Sequence, residues 1–121
     1  MTYSSSLARE SKIAPDVTFV LARMSFGRRV ELTRRIREIA QKVEFLQAGN
    51  EPREKIDAAL LTFEIERMYV TWGVQEIRGL QVDGAAATPE TLADAGPENL
   101  FREALAAVKA ECGLTEAEQK N

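Results

Sequence analysis

Five arginines crowd a ten-residue stretch: Arg28, Arg29, Arg34, Arg35 and Arg37. A guanidinium carries a permanent charge and a planar fork of donors, which suits it to phosphate or to the carboxylates of an acidic protein face. The same stretch supplies its own carboxylates. Glu31 precedes Arg35 by four residues and Glu38 precedes Lys42 by four, both in the acid-first order that favours ion pairs along one helix. A solvated helix face is therefore the plainer reading of the cluster. An acidic protein partner comes next, and nucleic acid last.

Other chemistry is sparse. The chain has no histidine and one cysteine, Cys112. That removes the usual zinc sets, Ser–His and Cys–His nucleophile pairs, haem ligation and any intrachain disulfide. Glu64 and Glu66 stand two apart, on different faces of a helix, and so do Glu116 and Glu118, so neither couple makes an acid–base pair. Glu64 with Arg67 reads as an ion pair at i,i+3. No glycine-rich phosphate loop occurs. Cys112 sits before Gly113 at a helix end, where the dipole disfavours a thiolate, and reads as a small apolar filler. We expect no enzyme, no cofactor and no metal.

The arginines must be carried by a long helix. Leu32, Ile36, Ile39, Val43 and Leu46 recur at steps of 4, 3, 4 and 3, one stripe of a 3.6-residue period. Ser25 stands at the cap position, and Gly49 suits the left-handed stop. Asn50 and Pro52 suit the start of a second helix. There Leu61, Ile65, Met68 and Trp72 form one stripe, and Ile56, Leu60, Phe63 and Val70 a neighbouring one. Such a wide apolar arc predicts a central helix touching core on more than one side, with Leu60 and Phe63 buried. Trp72 reads more readily as core than as an exposed anchor. The short break between the helices makes the pair antiparallel.

Around this pair the chain reads as follows. Residues 1–12 are polar, serine-rich and expected to be mobile. Residues 16–23 have the length and β-branched content of a strand, with a first helical turn as the alternative. Residues 75–82 read as one strand, or as two short ones kinked at Gly79, able to pair with 16–23. Asp83-Gly84 is a tight-turn signal. Thr88-Pro89 caps a short helix that Gly96-Pro97 stops, and a further helix from Pro97 buries Leu100, Phe101, Leu105 and Val108 before Gly113. Thr115 and Glu118 have the spacing of a capping box. The expected fold is α+β and mostly α: a long antiparallel helical pair at about 26–48 and 52–72, a small two-stranded β element and short C-terminal helices. We expect one domain over 1–121, ending in a short helix or tail at 115–121.

Charge is unevenly spread. Residues 1–80 hold 13 basic and 11 acidic side chains, whereas 81–121 hold 3 and 8. This polarity favours a protein partner met through complementary patches and argues against general nucleic-acid affinity. No apolar run approaches the ~20 residues needed to span a bilayer, and the start lacks the apolar core of a signal peptide. A cytosolic protein is expected.

The run WGVQEIRGLQVDGAAATPETL, then GPENLFREAL, then CGLTEAEQKN, resembles small proteins encoded among phage and prophage tail genes, including tail assembly chaperones. The resemblance covers Trp72 to Asn121, and its motifs are structural rather than catalytic. It implies an α-rich factor in the cytoplasm of the host bacterium. Such a factor binds a tail or tape-measure protein before polymerisation. A homo-oligomer is compatible with it. The expected contacts are Arg28, Arg29 and Arg35 with the exposed parts of Leu61, Ile65, Met68 and Trp72. Two other classes fit the same features: a virion tail or connector subunit, and a phage inhibitor of a host defence protein whose acidic half meets a basic groove.

The resemblance extends to the gene. Many tail assembly chaperones have a longer form made when the ribosome slips back one base near the end of the short frame. The codons CAA-AAA-AAC contain the slippery run A-AAA-AAC and encode Gln-Lys-Asn, which are Gln119, Lys120 and Asn121 here. Sequencing the gene should reveal that heptamer over codons 119–121 and an overlapping frame running well past the stop. Codons CAG-AAG-AAT with no overlapping frame would remove this support.

Overall fold

The computed structural model describes residues 1–47 and 52–113, with side chains described outside 43–47. Its elements run β1 (Ser6–Glu10), β2 (Thr18–Ala22), α1 (Phe26–Gln47), α2 (Pro52–Gly73), β3 (Val74–Arg78), β4 (Gln81–Val82), β5 (Ala85–Ala86), α3 (Pro89–Ala95) and α4 (Glu98–Glu111). The class is α+β and mostly α, with the two long helices close to the expected bounds. The contacts define two compact units: Ser25–Met68, and Met1–Met24 together with the chain from Tyr69 onward.

The second of these units is built on a three-stranded antiparallel sheet in the order β1-β2-β3. β2 is the middle strand. Phe19 and Leu21 are 1% exposed, and Val20 and Ala22 on the opposite face are buried as well. A strand buried on both faces reads as a continuous apolar run, which is what TFVLA is. β3 pairs with it as expected, Phe19 opposite Ile77, with an irregularity between Val20 and Leu21. Leu92 of α3, Val70 at the end of α2, and Leu100, Ala104, Leu105 and Val108 of α4 belong to the same buried set. Phe101 is half-buried.

One expectation about β structure is corrected, and one pair of alternatives is decided. The sheet has three strands rather than two, because Ser6–Glu10 lies within the segment expected to be mobile. It pairs in full register with β2, Leu7 opposite Leu21 and Arg9 opposite Phe19. Its side chains are half-buried or exposed, so the strand is held by its backbone ladder and carries little apolar signal. The 75–82 segment resolves into the two-strand alternative. Gly79 has φ +81, and a Cβ there would come within 1.9 Å of the Asp16 carbonyl oxygen, so the chain can pass only as glycine. Asp83 and Gly84 have φ 54 and 82, the two left-handed residues of a type I′ turn joining β4 to β5.

The C-terminal helices start as their sequences announce. The Thr88 hydroxyl accepts from the Thr91 N–H at 3.1 Å, and the Thr91 hydroxyl accepts from the Thr88 N–H at 2.8 Å, a reciprocal box with threonine in place of glutamate. Gly96 ends α3, and Gly113, at φ +79, follows α4.

In the Ser25–Met68 unit, the Arg28 N–H donates to the Ser25 hydroxyl at 3.2 Å, the expected cap. The strands this unit leaves and rejoins are paired, Leu21 opposite Val74. Two helices of 22 residues each lie between these strands in the chain. On each helix one stripe is sheltered more than the rest. On α1 that stripe holds buried Leu32 with half-buried Ile36 and Ile39. On α2 it holds Ala58, which is buried, with half-buried Leu61, Ile65 and Met68. The second α2 stripe is uncovered: Ile56, Leu60 and Phe63 are 63%, 56% and 55% exposed. The expectation of a central α2 with Leu60 and Phe63 in the core is thus overturned: before its final turns only Ala58 on this helix is buried, and Tyr69 and Val70 follow. Trp72, expected as core, is half-buried. The Gly49 stop, the Asn50 cap, the Val43 and Leu46 side chains and the Thr115 box lie outside the described residues.

Truncation should separate the two environments. In urea denaturation of dilute protein, Leu92→Ala should cost roughly 2–5 kcal/mol, and Leu60→Ala should stay within about 0.5 kcal/mol of the parent. Equal losses would place Leu60 in the core after all.

Candidate functional site

The arginines of α1 divide into two groups. Arg28 is half-buried on the side toward Leu32. Arg35, seven residues on, holds Glu31 at 2.9 Å with both side chains about half exposed. That is the ion pair read from the spacing, and an exposed pair of this kind contributes only a few tenths of a kcal/mol. Arg29, Arg34 and Arg37 instead border a shallow groove of about 350 Å³ whose remaining walls are Phe26, Val30 and Thr33. These six residues follow at i, i+3, i+4, i+7, i+8 and i+11, one face of one helix. The lining contains three cations and no carboxylate.

The structure therefore gathers a different set from the one expected. Of Arg28, Arg29 and Arg35, only Arg29 reaches the groove. The apolar members Phe26, at 87% exposure, and Val30, at 41%, were not singled out. They lie off the Leu32–Ile36–Ile39 stripe, and that displacement is the signal that separates them. Leu61, Ile65 and Met68 share one face of α2 and are half-buried, offering edges rather than full surfaces; Trp72, further along the helix, belongs to the other unit.

The sheet-bearing unit offers two polar features. Ser11 is the one buried polar residue among those described, at 6% exposure. Its hydroxyl donates to the Glu103 carboxylate and accepts from the Ile13 and Ala14 N–H groups at 3.1 and 2.9 Å, while the Lys12 N–H donates to Glu103 at 2.7 Å. This network ties the β1–β2 connection to α4. It is saturated, which suits a structural latch rather than a reacting centre. Beside α4, burial pushes the Tyr69 phenol up to about 12, with the Cys112 thiol a lesser cause, and the Lys109 ammonium lies 5.5 Å from the ring centre. A second groove of about 250 Å³ runs between α3 and α4 past Leu92, Gly96, Phe101 and Arg102. There Arg102 is 3.6 Å from Glu98, and its guanidinium lies 5.8 Å from the Phe101 ring centre.

Neither groove brings a nucleophile to a base. Among the described residues no group of three or more His, Cys, Asp or Glu side chains could hold a metal ion, and no helix is long and apolar enough to cross a membrane. What these surfaces can do is bind: the α1 groove sets exposed apolar side chains among guanidinium groups, the chemistry that suits an apolar side chain flanked by carboxylates. The chain matches no protein-family model, no curated protein and no solved structure.

Proposed function

We propose that the protein is a non-enzymatic factor of phage tail morphogenesis, an assembly chaperone that holds a tail or tape-measure protein before it polymerises. Two lines support the reading. The residues from Trp72 onward resemble those of tail assembly chaperones. The observation that carries it within the fold is the α1 groove, where exposed Phe26 and Val30 lie among Arg29, Arg34 and Arg37. A chaperone of this kind must cover apolar helical surface without joining the polymer. Its contact has to be amphipathic, limited in area and reversible. A groove on a single helix face, with a rim of charges that water still screens, has those properties.

The expected client is an acidic amphipathic helix. Leu61, Ile65 and Met68, half-buried on one face of α2, are the apolar contacts expected beside it. Met68 adds a flexible, polarisable contact of the sort that tolerates varied clients.

Charge reversal tests the reading. When tail proteins are co-expressed and captured through this chain, Arg34→Glu with Arg37→Glu should reduce recovery at least about tenfold, because the reversal sets like charges against an acidic client. Arg28→Glu with Arg35→Glu should have a smaller effect, since these two lie away from the groove. The difference should shrink as salt rises, because exposed charges are screened over ~8–10 Å at physiological ionic strength. Equal capture by the parent and the Arg34/Arg37 variant would contradict the proposal, and retention of duplex DNA at moderate salt would replace it with nucleic-acid binding.

A further inference from the structure

The uncovered stripe of α2 has a pattern of its own. Ile56, Leu60 and Phe63 follow at i, i+4 and i+7, each more than half exposed, and exposed Ala59 lies beside Leu60. Three contiguous large apolar side chains form a patch rather than scattered surface residues. The charges beside it are ordered along the helix. Before the patch stand Arg53 and Lys55; after it stand Glu64 and Glu66. Asp57 lies one turn from Arg53, and Arg67 closes the stripe.

We infer that a second copy of this chain covers the patch, with the two α2 helices antiparallel about a two-fold axis near Ala59 and Leu60. An antiparallel pairing centred there sets Ile56 opposite Phe63 of the second copy and Leu60 opposite Ala59, and each apolar layer occurs twice by symmetry. On one flank Arg53 lies two helical rises from Glu64 of the other copy and one from its Arg67, and on the other flank Lys55 lies two rises from Glu66. A parallel pairing sets Arg53 and Lys55 against their own counterparts and repels. The face is thus self-complementary, as a two-fold interface requires, and it selects one direction, as flanking charges do in helical pairs.

A packing reason points the same way. One apolar stripe of α2 is sheltered and a neighbouring one is open, and a second copy set against the open stripe provides the additional neighbour that a wide arc needs. The face from Arg53 to Arg67 is about 21 Å long at 1.5 Å per residue. One helix face of that length falls below the ~800 Å² per partner of a standard stable interface, so the dimer forms and dissociates with concentration. This inference does not depend on the tail-assembly reading.

Light scattering and sedimentation of the full chain, from low to high micromolar concentration, test it. The mass should rise from 13.5 kDa toward twice that value. Phe63→Asp should weaken association at least about tenfold with helix content unchanged by circular dichroism. Lys55→Glu alone and Glu64→Lys alone should each weaken it. In chains carrying both Arg53→Glu and Glu64→Lys, association should recover, because the reversed pair re-forms across the axis. Should Phe63→Asp lose helix content, Ala59→Cys serves instead: mild oxidation should link two chains through it, while the same change at exposed Ala106 of α4 should not. A mass of 13.5 kDa at every concentration, association that survives Phe63→Asp, or equal cross-linking at both cysteines would overturn the inference.

Discussion

Burial of β2 on both faces is the constraint from which the rest of the structure follows. Phe19 and Leu21 point one way, Val20 and Ala22 the other, and all four are buried. Such a strand needs a hydrogen-bonded neighbour on each edge and apolar cover above and below, since an unpaired buried N–H or C=O costs about as much as a lost hydrogen bond. β1 supplies one edge from nearby in the chain. β3 supplies the other only after the chain has made two long helices, because Leu21 pairs with Val74. The helices are therefore an excursion between two adjacent strands. The entropic cost of closing so long a connection grows only slowly with its length, and helix formation stiffens the path.

The excursion explains why one segment is well covered and another is not. Where α2 rejoins the sheet-bearing unit, Tyr69 and Val70 are buried. Before Tyr69, the helix has apolar residues on two stripes and shelter for one. Leu61, Ile65 and Met68 take the sheltered side, and Ile56, Leu60 and Phe63 are left outside. On α1 the same logic leaves Phe26 and Val30 outside, here among arginines. Two apolar surfaces of different electrostatic character thus belong to the Ser25–Met68 unit. One is cationic and suited to an acidic partner; the other has opposite charges at its two ends and suits its own copy.

What the sequence made legible were the signals that act within a few residues. The Ser25 cap, the Thr88-Pro89 start, the Gly96-Pro97 break, the Asp83-Gly84 turn and the strand at β2 all stand where their residue types place them, because each depends on local backbone geometry. β1 was illegible because its pairing depends on backbone groups, and SLARE has no alternating apolar face. The exposure of Leu60 and Phe63 was illegible for a different reason. Periodicity reports that a face is apolar, but the partner that covers it is decided by the number of neighbours a helix receives. The same limit affected the arginines: composition showed the cluster, while the angular offset of Phe26 and Val30 from the main stripe decided which arginines gather round a groove.

The central claim is that the apolar arc of α2 is divided, with one stripe sheltered and one open. Side-chain footprinting of dilute protein by hydroxyl radicals, read by mass spectrometry, measures this directly. The account predicts heavy labelling of Ile56, Leu60 and Phe63 and of Phe26, intermediate labelling of Leu61 and Ile65, and almost none at Phe19 or Leu92. Labelling of Phe63 as low as that of Phe19, in protein too dilute to associate, would contradict it.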